Sequence, residues 1–162
     1  MKDVPSESNR VRRLLRERFT FQISLDTRDA HQGLAVAEAA LKAGATILEL
    51  GTPLLKTEGV RNVIPIFRRR FPEALLLADM KTMDGGGGEA NAVFGGGANL
   101  IGFLALAGEA TARAVCAARD TFRQSFFASC PSMVDYLHLE IVRTLANDDP
   151  QVLGKDYPGP MV

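Results

Sequence analysis

From Phe19 onward the chain repeats one unit, a short β-rich run followed by an Ala/Leu-rich run at helical spacing, and this alternation restricts the possible folds more than any other feature. FTFQISLD is the first strand, and AHQGLAVAEAALKAG is a helix that stops at Gly44. ATILELG and VRNVIPIFRRRF make the second pair, with Pro65 awkward inside the helix. ALLLADMKT is the third strand, followed by a glycine-rich loop and a short helix around Glu89 to Phe94. NLIGFLALA and GEATARAVCAARDTF follow as the fourth pair, then QSFFASC and SMVDYLHLEIVRTLA as the fifth, ending at Asn147. Such alternation implies parallel strands joined by right-handed crossovers, in either a doubly wound sheet or a β/α barrel.

Side-chain alternation separates the two. In the first strand Gln22, Ser24 and Asp26 share one face, and in the third Leu77, Asp79 and Lys81 do. Polar groups gathered at the C-terminal ends of strands are where a barrel carries its chemistry. A doubly wound nucleotide fold wants GxGxxG straight after its first strand, and Asp26-Thr27-Arg28 is not that. The expected fold is therefore α/β, a TIM-type (β/α) barrel. A complete eight-unit barrel takes about 200 residues or more, so this one is shortened to about five βα units. The barrel domain is expected over 19–148, after an N-terminal arm and basic amphipathic helix (1–18) and before a C-terminal tail (149–162).

Composition excludes several classes of function. Lys plus Arg equals Asp plus Glu, 19 of each, so the chain as a whole is not built for nucleic acid or an anionic membrane surface. The five arginines from Arg10 to Arg18 interleave with Val11, Leu14, Leu15 and Phe19 and read as a solvated amphipathic helix rather than a nucleic-acid platform. Two cysteines, Cys116 and Cys130, make no disulfide framework and read as packing residues. No apolar run approaches a membrane span and no signal-peptide core opens the chain, so a cytoplasmic location is expected.

The chemistry concentrates in Asp26, Glu49, Asp79, Lys81 and Asp84, all at or just beyond the ends of three consecutive strands. In one barrel those ends converge on a single mouth. Asp79 and Lys81, two apart on an extended chain, enter the same cavity. Paired carboxylates suit a hard divalent cation such as Mg²⁺, and a lysine among carboxylates is favoured in its charged form, able to stabilise a developing oxyanion or enediolate. Gly85 to Gly88, beyond Asp84, allow close approach to a ligand or another subunit. GGGGEANAVFGGG lacks the GK[ST] ending of a phosphate-binding P-loop, so a tight turn and subunit contact is the use expected of it.

ELGTPLLKTEG (Glu49 to Gly59) and ADMKTMDGG (Ala78 to Gly86) resemble the matching segments of the 3-hexulose-6-phosphate synthases, in the orotidine-5'-phosphate decarboxylase superfamily of ribulose-phosphate-binding β/α barrels. The likeness covers about Phe21 to Arg119, with the DxKxxD element Asp79, Lys81 and Asp84 common to the superfamily and the GTPL, KTEG and KTMD wording closer to the synthase branch. It implies an Mg²⁺-dependent aldehyde-lyase adding formaldehyde to D-ribulose 5-phosphate to give 3-hexulose 6-phosphate. Glu49 and Asp79 would hold the metal, Lys81 would stabilise the cis-enediolate, and Asp26 would orient substrate and lysine. Asp84 would reach into the neighbouring site of a homodimer.

The resemblance has edges. The histidine-bearing segment and phosphate-gripping loops of the later family strands have no counterpart, and the chain from Gln124 departs from the family wording. His138 reads as a partly buried helix residue and His31 as a first-turn helix residue. Two alternatives accompany the synthase: a decarboxylase like those acting on 3-keto-L-gulonate 6-phosphate or orotidine 5'-phosphate, and a shortened, non-catalytic barrel serving as an oligomeric scaffold.

Overall fold

The computed structural model describes residues 20–125. Four strands, β1 (Gln22–Leu25), β2 (Ile47–Leu50), β3 (Leu75–Thr82) and β4 (Leu100–Phe103), form one sheet in the order β1-β2-β3-β4. Every neighbouring pair is parallel. Each strand lies beside its successor, the order of a β/α barrel, without the reversal that defines a doubly wound sheet.

Helices α1 (Ala30–Lys42), α2 (Thr52–Glu58), α3 (Val60–Arg70), α4 (Gly86–Gly95) and α5 (Gly108–Ser125) supply the crossovers, with a 3₁₀ turn at Ala105–Ala107. Asp29 caps α1, its carboxylate accepting from the Gln32 amide at 2.7 Å. The helix stops where Gly44 takes φ +97°. His31 falls in the first turn of α1, where the sequence put it.

The strand periodicity sorts the sheet into two faces. Leu25, Leu48, Leu50, Leu76, Ala78, Ile101 and Phe103 point to the helices and join Ala37, Leu54, Ile64, Phe67, Val93 and Val115 in the main core. On the other face Ile47, Leu75, Leu77 and Leu100 make a smaller cluster toward the N-terminal ends of the strands. That same face turns polar toward the C-terminal ends, where Ser24 pairs in register with Glu49, and Asp79 with Gly102. An apolar floor beneath a polar rim is the layering of a barrel interior.

The structure departs from the sequence reading in four places. TPLLKTE, which the strand and helix pattern assigned to no element, forms α2, with Pro53 in its first turn, where a missing N–H costs nothing. Pro65 does not break α3, which runs continuously from Val60 to Arg70 and forgoes only the bond from residue 65 to the Arg61 carbonyl. The glycines after Asp84 are not a loop: Gly85 caps α4 at φ +62° and Gly86 to Gly88 form its first turn. A Cβ at Gly86 would lie 2.9 Å from the Thr111 carbonyl oxygen, so this glycine serves close packing of α4 on α5. Finally, α5 continues through Gln124 and Ser125, the expected start of a fifth strand, because its apolar spacing carries on to Phe122, which packs on Phe94 at 6.1 Å between ring centroids. The remainder of the fifth βα unit, with Cys130 and His138, and the N-terminal basic helix lie outside the described residues.

Candidate active site

Glu49 ends the polar face of β2 and is 8% exposed; Asp79, 6% exposed, stands one strand over and two rungs further along β3. Glu49 Oε2 accepts from Gln22 Nε2 at 2.6 Å, so β1 holds the carboxylate of β2. Asp79 has room because its in-register neighbour is Gly102: a Cβ there would lie 3.3 Å from Asp79 Oδ1.

Lys81 reaches Asp79 by a route that alternation alone does not describe. The pairing of β3 with β4 slips between Asp79 and Thr82, so that Met80 and Lys81 bulge while β4 passes directly from Gly102 to Phe103. Lys81 takes φ +49°, and it is the only non-glycine with positive φ among the described residues. A lysine pays a steric penalty for that conformation. Its ammonium forms an ion pair with Asp79 Oδ2 and donates to Thr52 Oγ1 at 3.2 Å. The Thr52 hydroxyl in turn lies 2.8 Å from Asp79 Oδ2 and 2.7 Å from the Asp79 backbone oxygen. Asp79, Lys81 and Thr52 thus close a triangle of alternating donors and acceptors.

Asp26, just past β1, is exposed and accepts from Ser24 Oγ at 3.1 Å. Its carboxylate lies over Gly51, where an added Cβ would fall 2.2 Å from Asp26 Oδ1 and 3.0 Å from the Leu25 carbonyl. Gly51→Ala is therefore expected to destabilise the chain by about 1–3 kcal/mol through overpacking, read as a lower urea midpoint. The same substitution in an Asp26→Ala background should cost clearly less, because half of the clash is gone; an equal cost would place the strain elsewhere.

Asp84 is exposed one residue before Gly85, beyond the end of β3 and apart from the triangle. Of the five residues singled out in the sequence, the structure brings Asp79 and Lys81 into contact, sets Glu49 on the same face, and leaves Asp26 and Asp84 at the rim. The residues that sequence reasoning passed over are Thr52, Gly51 and Gly102, each a neighbour across strands. The signal for Thr52 was its place two residues past the strand that carries Glu49, within the GTPL wording.

Among the described residues no group of three or more His, Cys, Asp or Glu side chains gathers in a way that could hold a metal ion. The available donors are the two carboxylates of Glu49 and Asp79. That set suits Mg²⁺, which takes one or two protein carboxylates and completes its octahedron with water and substrate oxygens, better than a closed zinc site or a calcium cage. None of the described helices is long and apolar enough to cross a membrane.

Comparison with known proteins bears on this arrangement. The family described as orotidine 5'-phosphate decarboxylase / HUMPS matches residues 20–156, further along the chain than the motif wording alone extends. The 3-hexulose-6-phosphate synthase of Mycobacterium gastri is 38% identical over 90 residues, which cover 56% of this chain and 42% of that protein. The crystal structure of 3-hexulose-6-phosphate synthase from Salmonella typhimurium superposes with a TM-score of 0.61 at 29% identity, over 64% of this chain and 48% of that one. The structure of 3-keto-L-gulonate-6-phosphate decarboxylase from Vibrio cholerae gives a TM-score of 0.60 at 32% identity, over 64% and 47%. The chain thus spans a little under half the length of these relatives.

Proposed function

The chain belongs to the orotidine 5'-phosphate decarboxylase / HUMPS family, and from that premise we propose that it carries the first-half active-site residues of an Mg²⁺-dependent 3-hexulose-6-phosphate synthase. The observation that supports this reading best is a lysine kept at φ +49° with its ammonium on a buried carboxylate, beside a second carboxylate on the adjacent strand.

The proposed reaction joins C1 of D-ribulose 5-phosphate to the carbon of formaldehyde. A proton leaves C1, the resulting enediolate attacks, and the former aldehyde oxygen takes up a proton. Mg²⁺, when held by Glu49 and Asp79, supplies positive charge beside the substrate oxygens. Lys81 places a cationic donor where negative charge develops on the enediolate, in a site already organised for it. Asp26 at the rim orients substrate and lysine. Asp84, on the exposed turn before α4, serves the neighbouring site of a homodimer. The reading implies a cytoplasmic enzyme that uses sugar phosphate and aldehyde without nucleic acid or membrane.

A second reading has its own support, the likeness to a 3-keto-L-gulonate-6-phosphate decarboxylase. The same cation would then face the enediolate left by loss of CO₂. One pair of assays separates the readings: formaldehyde-dependent loss of ribulose 5-phosphate, and CO₂ release from 3-keto-L-gulonate 6-phosphate, each with Mg²⁺ and with EDTA. The synthase reading expects the first, abolished by EDTA. CO₂ release alone gives the decarboxylase. Neither activity in folded, Mg²⁺-supplied protein leaves the scaffold.

A further inference from the structure

The geometry points to Thr52 as a positioning residue for Lys81, acting through its hydroxyl on where the ammonium sits; the inference rests on the reaction class proposed above.

Lys81 hangs from a bulge, its side chain is 43% exposed, and its long stem gives the ammonium many positions to sample. The ion pair with Asp79 fixes one distance, and both residues belong to the same strand, so the head can still swing about that carboxylate. Thr52 supplies a second point from a different element, the start of α2. An ammonium can only donate and a carboxylate can only accept, whereas a hydroxyl has one proton to give and lone pairs to receive. Thr52 Oγ1 does both, accepting from Lys81 Nζ at 3.2 Å and sharing its proton between Asp79 Oδ2 at 2.8 Å and the Asp79 carbonyl at 2.7 Å. The adjoining Gly51 cannot take this part, since it has no side chain.

The test uses the full 162-residue chain carrying Thr52→Val, which keeps the shape and removes the hydroxyl, and Thr52→Ser, which keeps the hydroxyl. Thr52→Val should lower kcat for formaldehyde addition by about 10- to 100-fold, the range seen when a partner of a site carboxylate is removed. The KM for ribulose 5-phosphate should hold, and Thr52→Ser should stay within about threefold of wild type. If Thr52→Val does not fold, Thr52→Ala carries the same expectations. A second readout needs no turnover. In metal-free, ¹⁵N-lysine-labelled protein the Lys81 NH₃⁺ resonance, assigned by its loss in Lys81→Arg, should be visible in wild type and Thr52→Ser and absent in Thr52→Val. A persistent ammonium signal overturns the proposal. So does an unchanged kcat, a fall confined to KM, or a loss that Thr52→Ser shares. If wild type turns over neither substrate, the functional reading fails and the ammonium signal alone decides the role of Thr52.

Discussion

Lys81→Gly and Lys81→Ala should both lose turnover by about 10³-fold, and the glycine variant should be the more stable of the two by about 1 kcal/mol. The two substitutions remove the same ammonium and the same ion pair with Asp79. They differ in the backbone. At φ +49° an alanine keeps the clash between its Cβ and the neighbouring carbonyl, while glycine has none. The difference in their urea midpoints therefore isolates the strain that the natural lysine carries. Stability alone would favour glycine at the bulge, so a lysine there fits the role proposed for its ammonium. Equal midpoints would mean that the bulge relaxes in the alanine variant and that no strain is stored. Surviving turnover in either would remove Lys81 from the reaction.

That strain marks the limit of what the sequence could disclose about the site. The period-two pattern of β1 and β3 places Gln22, Ser24, Asp79 and Lys81 on one face, and the register brings Glu49 among them. The parallel order follows from strand–helix alternation. The bulge is another matter. Lysine is not a residue that announces a left-handed backbone, and the slip is set by β4, which contributes one step where β3 contributes three. Nor did the sequence tell a phosphate-cradle or turn glycine from a helix-packing one. Gly86, in the first turn of α4, lies closely against α5 at Thr111, a residue about 25 positions away and invisible to any local window.

The arginine run at the end of α3 makes the same point about energetics. Arg68, Arg69 and Arg70 are chemically identical in the sequence. In the fold Arg70 reaches Glu38 on α1 at 2.6 Å and lies over the Phe71 ring, and Arg69 is exposed. Glu38 also pairs with Lys42, and that bond, with the nearby cations, holds its carboxyl below the ordinary value. Such exposed pairs contribute little to stability.

Arg68 is different, and Arg68→Ala and Asn99→Ala are each expected to destabilise the chain by about 3 kcal/mol. The guanidinium donates to the Gly97 carbonyl at 2.8 Å, to the Pro72 and Ala74 carbonyls at 2.9 Å each, and to Asn99 Oδ1. Asn99, 1% exposed, uses the same Oδ1 to accept from the buried Leu76 amide at 2.9 Å. One fork thus ties the chain entering β3 to the chain entering β4. Removing either partner leaves buried polar groups without the bonds that justify their burial. The double variant should cost little more than the worse single one, with a coupling of about 2 kcal/mol in a urea-unfolding cycle. Simple additivity would show that the two side chains act separately. Asn99→Asp, which keeps an acceptor for both Leu76 and Arg68, should cost less than Asn99→Ala. The clamp sits at the N-terminal ends of β3 and β4, the site at their C-terminal ends, an arrangement in which a barrel separates residues for stability from residues for chemistry. A clamp variant that still folds should therefore keep the Lys81 ion pair and lose stability without losing the site, the inverse of what Lys81→Gly does.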